Sequence, residues 1–142
     1  MIADNSFDEV IELREQKTLE AKAPEKRAIL AKALHRAFEF WELSPEDRLT
    51  LLGYAKDNRA ALGKLAKGEP LGATQDSMDR ASHVLGIWKS LELLFPRNDD
   101  FRSAWMRSRN KAFGNHTPVD VVRAYGLPGL VIVRGTLDMM RG

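Results

Sequence analysis

The stretch LPGLVIVRGTLDMMRG, residues 127–142, decides between an all-helical chain and one that contains a sheet. Taken alone, Leu130-Val131-Ile132-Val133 reads as a strand, because β-branched residues cluster there. A lone strand has no partner for its amides and carbonyls, and no other segment of the chain reads as one. The stretch therefore predicts a terminal helix, with Gly126-Leu127-Pro128-Gly129 as a break ahead of it. Gly135 falls inside that helix. Glycine there costs about 1 kcal/mol relative to alanine, so a loosened or kinked last turn is expected.

Upstream, NKAFGNHTPVD (residues 110–120) gathers turn formers between two helical patterns. It reads as a structural corner. Asn110 caps or bridges backbone groups left open at a helix end. Phe113 plugs the core and Gly114 permits a positive φ. Thr117 and Pro118 launch the next helix as N-cap and first residue, with Asp120 in the first turn. A lesser reading has Asn115 and His116 touching a partner, as exposed loop residues often do.

The same start signal recurs at Ser44-Pro45-Glu46-Asp47, which opens a helix running to Leu52 and stopping at Gly53. Helical spacing predicts further helices over 25–42, 57–67, 76–95 and 99–108. In the long one Met78, Ala81, Val84, Leu85, Trp88, Leu91 and Phe95 share a face. Trp88 and Trp105 are expected to join it to the C-terminal part. Residues 6–20 form a weaker helix capped by Ser6 and Glu9, with a thin apolar stripe. It reads as an arm or a dimer contact. The expected fold class is all-α. The expected organisation is an N-terminal arm (1–23), a helix-turn-helix-like domain (24–96) and a small helical module (97–142).

Residues 43–68 have the layout of a helix-turn-helix, whose second helix would present Lys56, Arg59, Lys64 and Lys67 to DNA phosphates and base edges. Two positions depart from that layout. Leu49 stands where a small residue is usual, and Arg59 stands where a buried apolar one is. Ala60 or Leu62 fills that role only if the turn is one residue longer. The alternative is two ordinary packed helices with solvated lysines.

Little in the chain points to chemistry. His35, His83 and His116 have no metal-ligand spacing, and no serine sits in a nucleophile elbow. Phosphate-cradling glycine motifs are absent too. The chain reads as a non-enzyme that needs neither metal nor cofactor. It has no cysteine and no apolar run of membrane-spanning length, and its start lacks a signal peptide's apolar stretch. A cytoplasmic protein is expected. The net charge of +2 hides an asymmetry: residues 1–20 carry six acids against two basic side chains, and residues 101–142 carry seven Arg or Lys against Asp120 and Asp138. A basic C-terminal part suits an acidic partner or nucleic acid.

Taken together, Trp105, Asn110-Lys111-Ala112-Phe113-Gly114, Thr117-Pro118, Gly129-Leu130, Leu137-Asp138 and Arg141-Gly142 resemble the pattern of the Xre/MbcA/ParS toxin-binding antitoxins of bacterial type II toxin–antitoxin pairs. The likeness covers roughly residues 27–142. It departs from the family at Asn115-His116, where a second glycine is common, and at Arg134-Gly135-Thr136, where an unbroken run with an aromatic residue is usual. The resemblance implies a cognate toxin of the RES-domain class, which consumes NAD. It also implies that the C-terminal region blocks that toxin's active-site mouth, and that a dimer or complex represses its own promoter. On that reading Arg134, Asp138, Met139, Met140, Arg141 and Gly142 meet the toxin. Arg141 would plug an acidic pocket, and the two methionines would give adaptable apolar contacts. The counter-reading packs Leu137 and Met140 into the protein's own core and leaves Arg141 in solvent. The alternative function is a DNA-binding transcriptional regulator whose C-terminal module only dimerises.

Overall fold

Proline, glycine and short polar caps cut the chain into helices. In the computed structural model, residues 4–142 are described, and they run α1 (Asp4–Ala21), α2 (Pro24–Phe40), α3 (Pro45–Leu52), α4 (Arg59–Ala66), α5 (Gln75–Leu94), α6 (Asp99–Trp105), a 3-10 turn at Lys111–Phe113, α7 (Pro118–Tyr125) and α8 (Leu127–Arg141). Among the described residues there is no strand, and the fold is all-α. The ends follow the caps. Ser44 Oγ accepts the Asp47 amide at 3.1 Å, Thr74 Oγ1 accepts that of Ser77 at 3.1 Å, and Asn98 Oδ1 accepts that of Phe101 at 3.1 Å. Gly53, at φ 74°, ends α3 in the left-handed conformation that glycine adopts freely.

Several boundaries differ from expectation. Helix α1 begins at Asp4, so Ser6 lies inside its first turn rather than before it. Residues 1–3 of the expected arm lie outside the described residues. Pro24 is part of α2, and α4 starts at Arg59, two residues later than expected. Leu127-Pro128-Gly129 does not break the chain but forms the first turn of α8, where proline's missing amide hydrogen is no loss. The break is Gly126 alone, whose φ of 67° and ψ of −137° suit only glycine. Gly135 does not interrupt α8 either. Packing of the helix against α5 outweighs the weak local propensity.

Helix α5 is the central element, packed against α8, α2 and α3, while α7 bridges α8 and α3. One apolar cluster runs from Leu34, Phe38 and Trp41 through Leu51, Leu65, Val84, Ile87 and Leu91 to Val122, Leu130, Val133 and Leu137. The two expected domains thus share a hydrophobic core. The buried face of α5 is Ser77, Ala81, Val84, Ile87, Ser90 and Leu91. Trp88 is half-buried beside it and meets Phe40 edge-on at 5.1 Å and Trp41 at 5.8 Å. It therefore ties α5 to α2 rather than to the C-terminal part. Trp105 is buried and meets Phe113 edge-on at 6.2 Å.

Polar side chains seal the helix ends that this packing covers. Arg107 Nε donates to the Trp41 carbonyl at 2.7 Å and Ser103 Oγ to that of Phe40 at 2.9 Å, satisfying the end of α2 from α6 and the turn just after it. Arg27 and Leu71 exchange two bonds, of 2.7 and 3.1 Å, which hold the loop before α5 against α2. Arg123 reaches Asp47 at 2.6 Å and links α7 to the start of α3.

Candidate functional site

The corner at 110–120 is built from its own backbone. Asn110 Oδ1 accepts the Ala112 amide at 2.9 Å, the Asn110 amide donates to the His116 carbonyl at 3.1 Å, and the Asn110 carbonyl accepts the amides of Phe113 and Asn115, each at 3.0 Å. Asn110 thus caps the 3-10 turn that follows it rather than the helix before it. Gly114 (φ 62°) and Asn115 (φ 68°) are both left-handed, a conformation asparagine tolerates better than most side chains. Thr117 and Asp120 then form a reciprocal capping box, with bonds of 3.0 and 3.1 Å. The backbone amide of Thr117, with its hydroxyl and Arg123 adding to it, holds the Asp120 carboxyl below the usual aspartate range. Pro118 is buried in the first turn of α7, and Phe113 is half-buried against Trp105. The corner fixes where α7, and through Gly126 α8, can go.

Helix α8 has two faces. Leu130, Val133 and Leu137 recur at helical spacing and are fully buried against the core. Beside them a polar seam closes the contact with α5. Arg134 lies across Gly86, where a Cβ would sit 2.5 Å from its Cζ, and approaches Ser82 O and His83 Nδ1 at 3.4 Å each. Burial first, and then the Arg134 charge, lower the His83 pKa despite Asp79 pulling the other way. Ser90 is 1% exposed, and its Oγ donates to Asp138 at 3.3 Å and accepts from Arg141 at 3.1 Å. Asp138 in turn lies 3.9 Å from Arg134 and 3.6 Å from Arg141.

Arg134, Asp138 and Arg141 are therefore brought together in one seam with Ser90, a partner that sequence spacing could not reveal. Arg141 is held against α5 instead of standing free in solvent. Met139, 83% exposed, and Met140 point away from the core, and Gly142 is exposed at the helix end. Of the counter-reading only Leu137 packs inside.

The outward face of α8 carries residues the sequence reading did not single out as contacts. Val131 and Ile132 are about half exposed, as is Tyr125 at the end of α7. Ile132 borders an apolar groove of about 380 Å³ between the corner and α7, lined by Phe113, Val121, Ala124 and Tyr125 with His116 and Asp120 on its rim. Their signal was present as a second apolar stripe on a helix that already had one.

Lys56, Arg59, Lys64 and Lys67 are all exposed. The last three stand on α4, or just past its end, away from buried Leu65 and half-buried Leu62. Lys56 lies in the turn, 3.5 Å from Glu46. Arg59 need not be buried, because the connection from α3 runs from Gly53 to Asn58 and shifts the inward positions to Leu62 and Leu65. No cluster of metal-ligating side chains occurs among the described residues, and no helix among them is long and apolar enough to cross a membrane.

Residues 90–142 match the family model described as the antitoxin Xre/MbcA/ParS C-terminal toxin-binding domain. The C-terminal part of the chain, from Ser90 on, is an Xre/MbcA/ParS toxin-binding domain. The matched span starts at Ser90, so it takes in the last turn of α5 together with the seam that Ser90 anchors, the corner, α7 and α8. The chain is also similar to the uncharacterized protein y4oB of Sinorhizobium fredii (strain NBRC 101917 / NGR234). The two are 35% identical over 114 residues, covering 78% of this chain and 82% of that one. An Xre/MbcA/ParS C-terminal domain implies a toxin partner.

Proposed function

We propose that this antitoxin-family chain neutralises a RES-domain, NAD-consuming toxin by seating its C-terminal module over the toxin's active-site mouth. The observation that carries this reading is the match of residues 90–142 to a toxin-binding domain. The charge of that region supports it: residues 101–142 are strongly basic, and Arg134 and Arg141 stand at its surface. A pocket that handles substrate with carboxylates would be complementary to those guanidinium groups. The division into 24–96 and 97–142 is then one of function, laid over a shared core.

The regulatory half of the proposal assigns promoter binding to α3, the turn and α4, in a dimer or in the toxin complex. Arg59, Lys64 and Lys67 are unobstructed by the fold. Gly63 lies between Arg59 and Lys67 along α4, with nothing within 4 Å of where its Cβ would be. Such a surface lets a phosphate backbone approach closely. The competing reading is a transcriptional regulator whose C-terminal module only dimerises.

Co-expression with the RES-domain product of an adjoining gene separates the two. Growth rescue by the wild-type chain, partly lost in Arg141→Glu and largely kept in Arg141→Lys, is the expected result. Absence of rescue by the wild type sinks the antitoxin reading. Removing Arg59, Lys64 and Lys67 together should abolish promoter binding, leave neutralisation intact and flatten the salt dependence by up to about three units. A wild-type chain with no preference for its own upstream DNA, alone or with toxin, would remove the regulatory half.

A further inference from the structure

Glycines at close helix contacts in this fold have a visible reason. A Cβ on Gly129 would meet the Val121 carbonyl oxygen at 2.6 Å, and one on Gly86 would meet the Arg134 guanidinium. Gly135 has none. It lies in the interior of α8 without a positive φ, and nothing stands within 4 Å of where its Cβ would be. Glycine is the poorest helix former after proline, so the fold by itself would be better served by almost any other residue there. What Gly135 creates is a notch. Val131 and Ile132 stand one turn before it, and Met139 one turn after, all three solvent-exposed. Through Ile132 the notch continues into the apolar groove beside Val121 and Tyr125.

We propose that the Gly135 notch and the adjoining groove are the contact by which the toxin is gripped, taking a protruding apolar side chain from an acidic-rimmed toxin surface. This rests on the antitoxin reading and deepens it. Two observations select the occupant. Within the matched toxin-binding region, the inner face of α8 is closed by α5 and α7 packs against both α8 and α3, while Val131, Ile132 and Met139 on the outer face of α8 run on into the groove beside Tyr125 as a continuous apolar surface. The surrounding residues 101–142 are net basic, so pairing this face with the same face of a second copy would set two cationic surfaces against each other, whereas an acidic rim on the toxin is complementary.

The test uses the full chain, a RES-domain toxin encoded beside it, titration calorimetry and thermal melts. Gly135→Ala should raise Tm by roughly 3 °C, through helix propensity, and yet weaken toxin binding about tenfold. Gly135→Leu should weaken it by about 100-fold, as overpacking does, with Tm no lower than wild type. A rise in Tm with a loss of affinity is a pairing that a purely structural role would not produce. Wild-type binding with Gly135→Leu within twofold of it overturns the notch while leaving the antitoxin reading intact. Failure of the wild type to bind the toxin overturns both. Conversion of a dimer to a monomer by Gly135→Leu, with toxin binding unchanged, would make a second copy the occupant and likewise overturn the proposal.

Discussion

Helices α1 and α8 both carry more apolar side chains than a solvated helix needs, and their fates are opposite. In α8 three of them fall at 130, 133 and 137, on one face, and are completely buried. In α1, Phe7, Val10, Ile11, Leu13 and Leu19 are all exposed, Phe7 by 74%, and the helix packs mainly and lightly against α2. Apolar content alone does not bury a helix. It needs spacing that matches a complementary face, which α5 supplies through Ala81, Val84, Ile87 and Leu91. It also needs a connection that aims it there, which the corner and Gly126 supply. Helix α1 has neither, and its acids are spread so that Asp8 and Glu12 repel one turn apart.

The hardest test of this contrast is Leu137→Ala against Phe7→Ala. The first should destabilise by about 2–5 kcal/mol, because it leaves a cavity at a fully enclosed site. The second should stay within about 0.5 kcal/mol, as surface substitutions do. Chemical denaturation that ranks them the other way would mean α1 is buried in the protein's working form. Truncation sharpens the same point. Deleting residues 137–142 removes Leu137 and should cost at least as much as the substitution, whereas deleting 138–142 should spare most of the fold and cost toxin neutralisation.

The aiming device comes next in size. Thr117→Ala removes the hydroxyl that accepts the Asp120 amide and should cost about 1 kcal/mol. Its partner gives a pH signature. The Asp120 carboxyl is held below its ordinary value of 3.8, so its contribution is fully present above that value and is lost as pH falls through the lower folded-state value. Asp120→Asn should therefore flatten the acid limb of the stability curve and leave its slope near neutral pH unchanged. A mutant whose acid limb matches the wild type's would disprove the capping role. The smallest effect expected is from deleting residues 1–20, with Tm moving by no more than about 2 °C in dilute solution. A larger drop that grows with protein concentration would show that α1 is covered by a second copy.

Much of this layout was legible in the sequence. Ser44-Pro45 and Thr117-Pro118 marked helix starts, and Gly53 marked a stop, because caps act through neighbours two to four residues away. The all-α class followed from Leu130–Val133 having no strand to pair with. The candidate site was legible only in part. The motif residues 110–118 and 137–142 could be picked out, but not that Arg141 and Asp138 share buried Ser90, some 50 residues back. Nor was it visible that Gly86 makes room for Arg134, that Trp88 belongs with α2, or that Gly135 has nothing to make room for. The sequence by itself determined where helices begin and end and which faces are apolar, because those are short-range matters of dihedral preference, capping and period. Only the tertiary structure decided which apolar face is spent on the core and which is left open, because that depends on side chains far apart in the chain competing for the same enclosed volume.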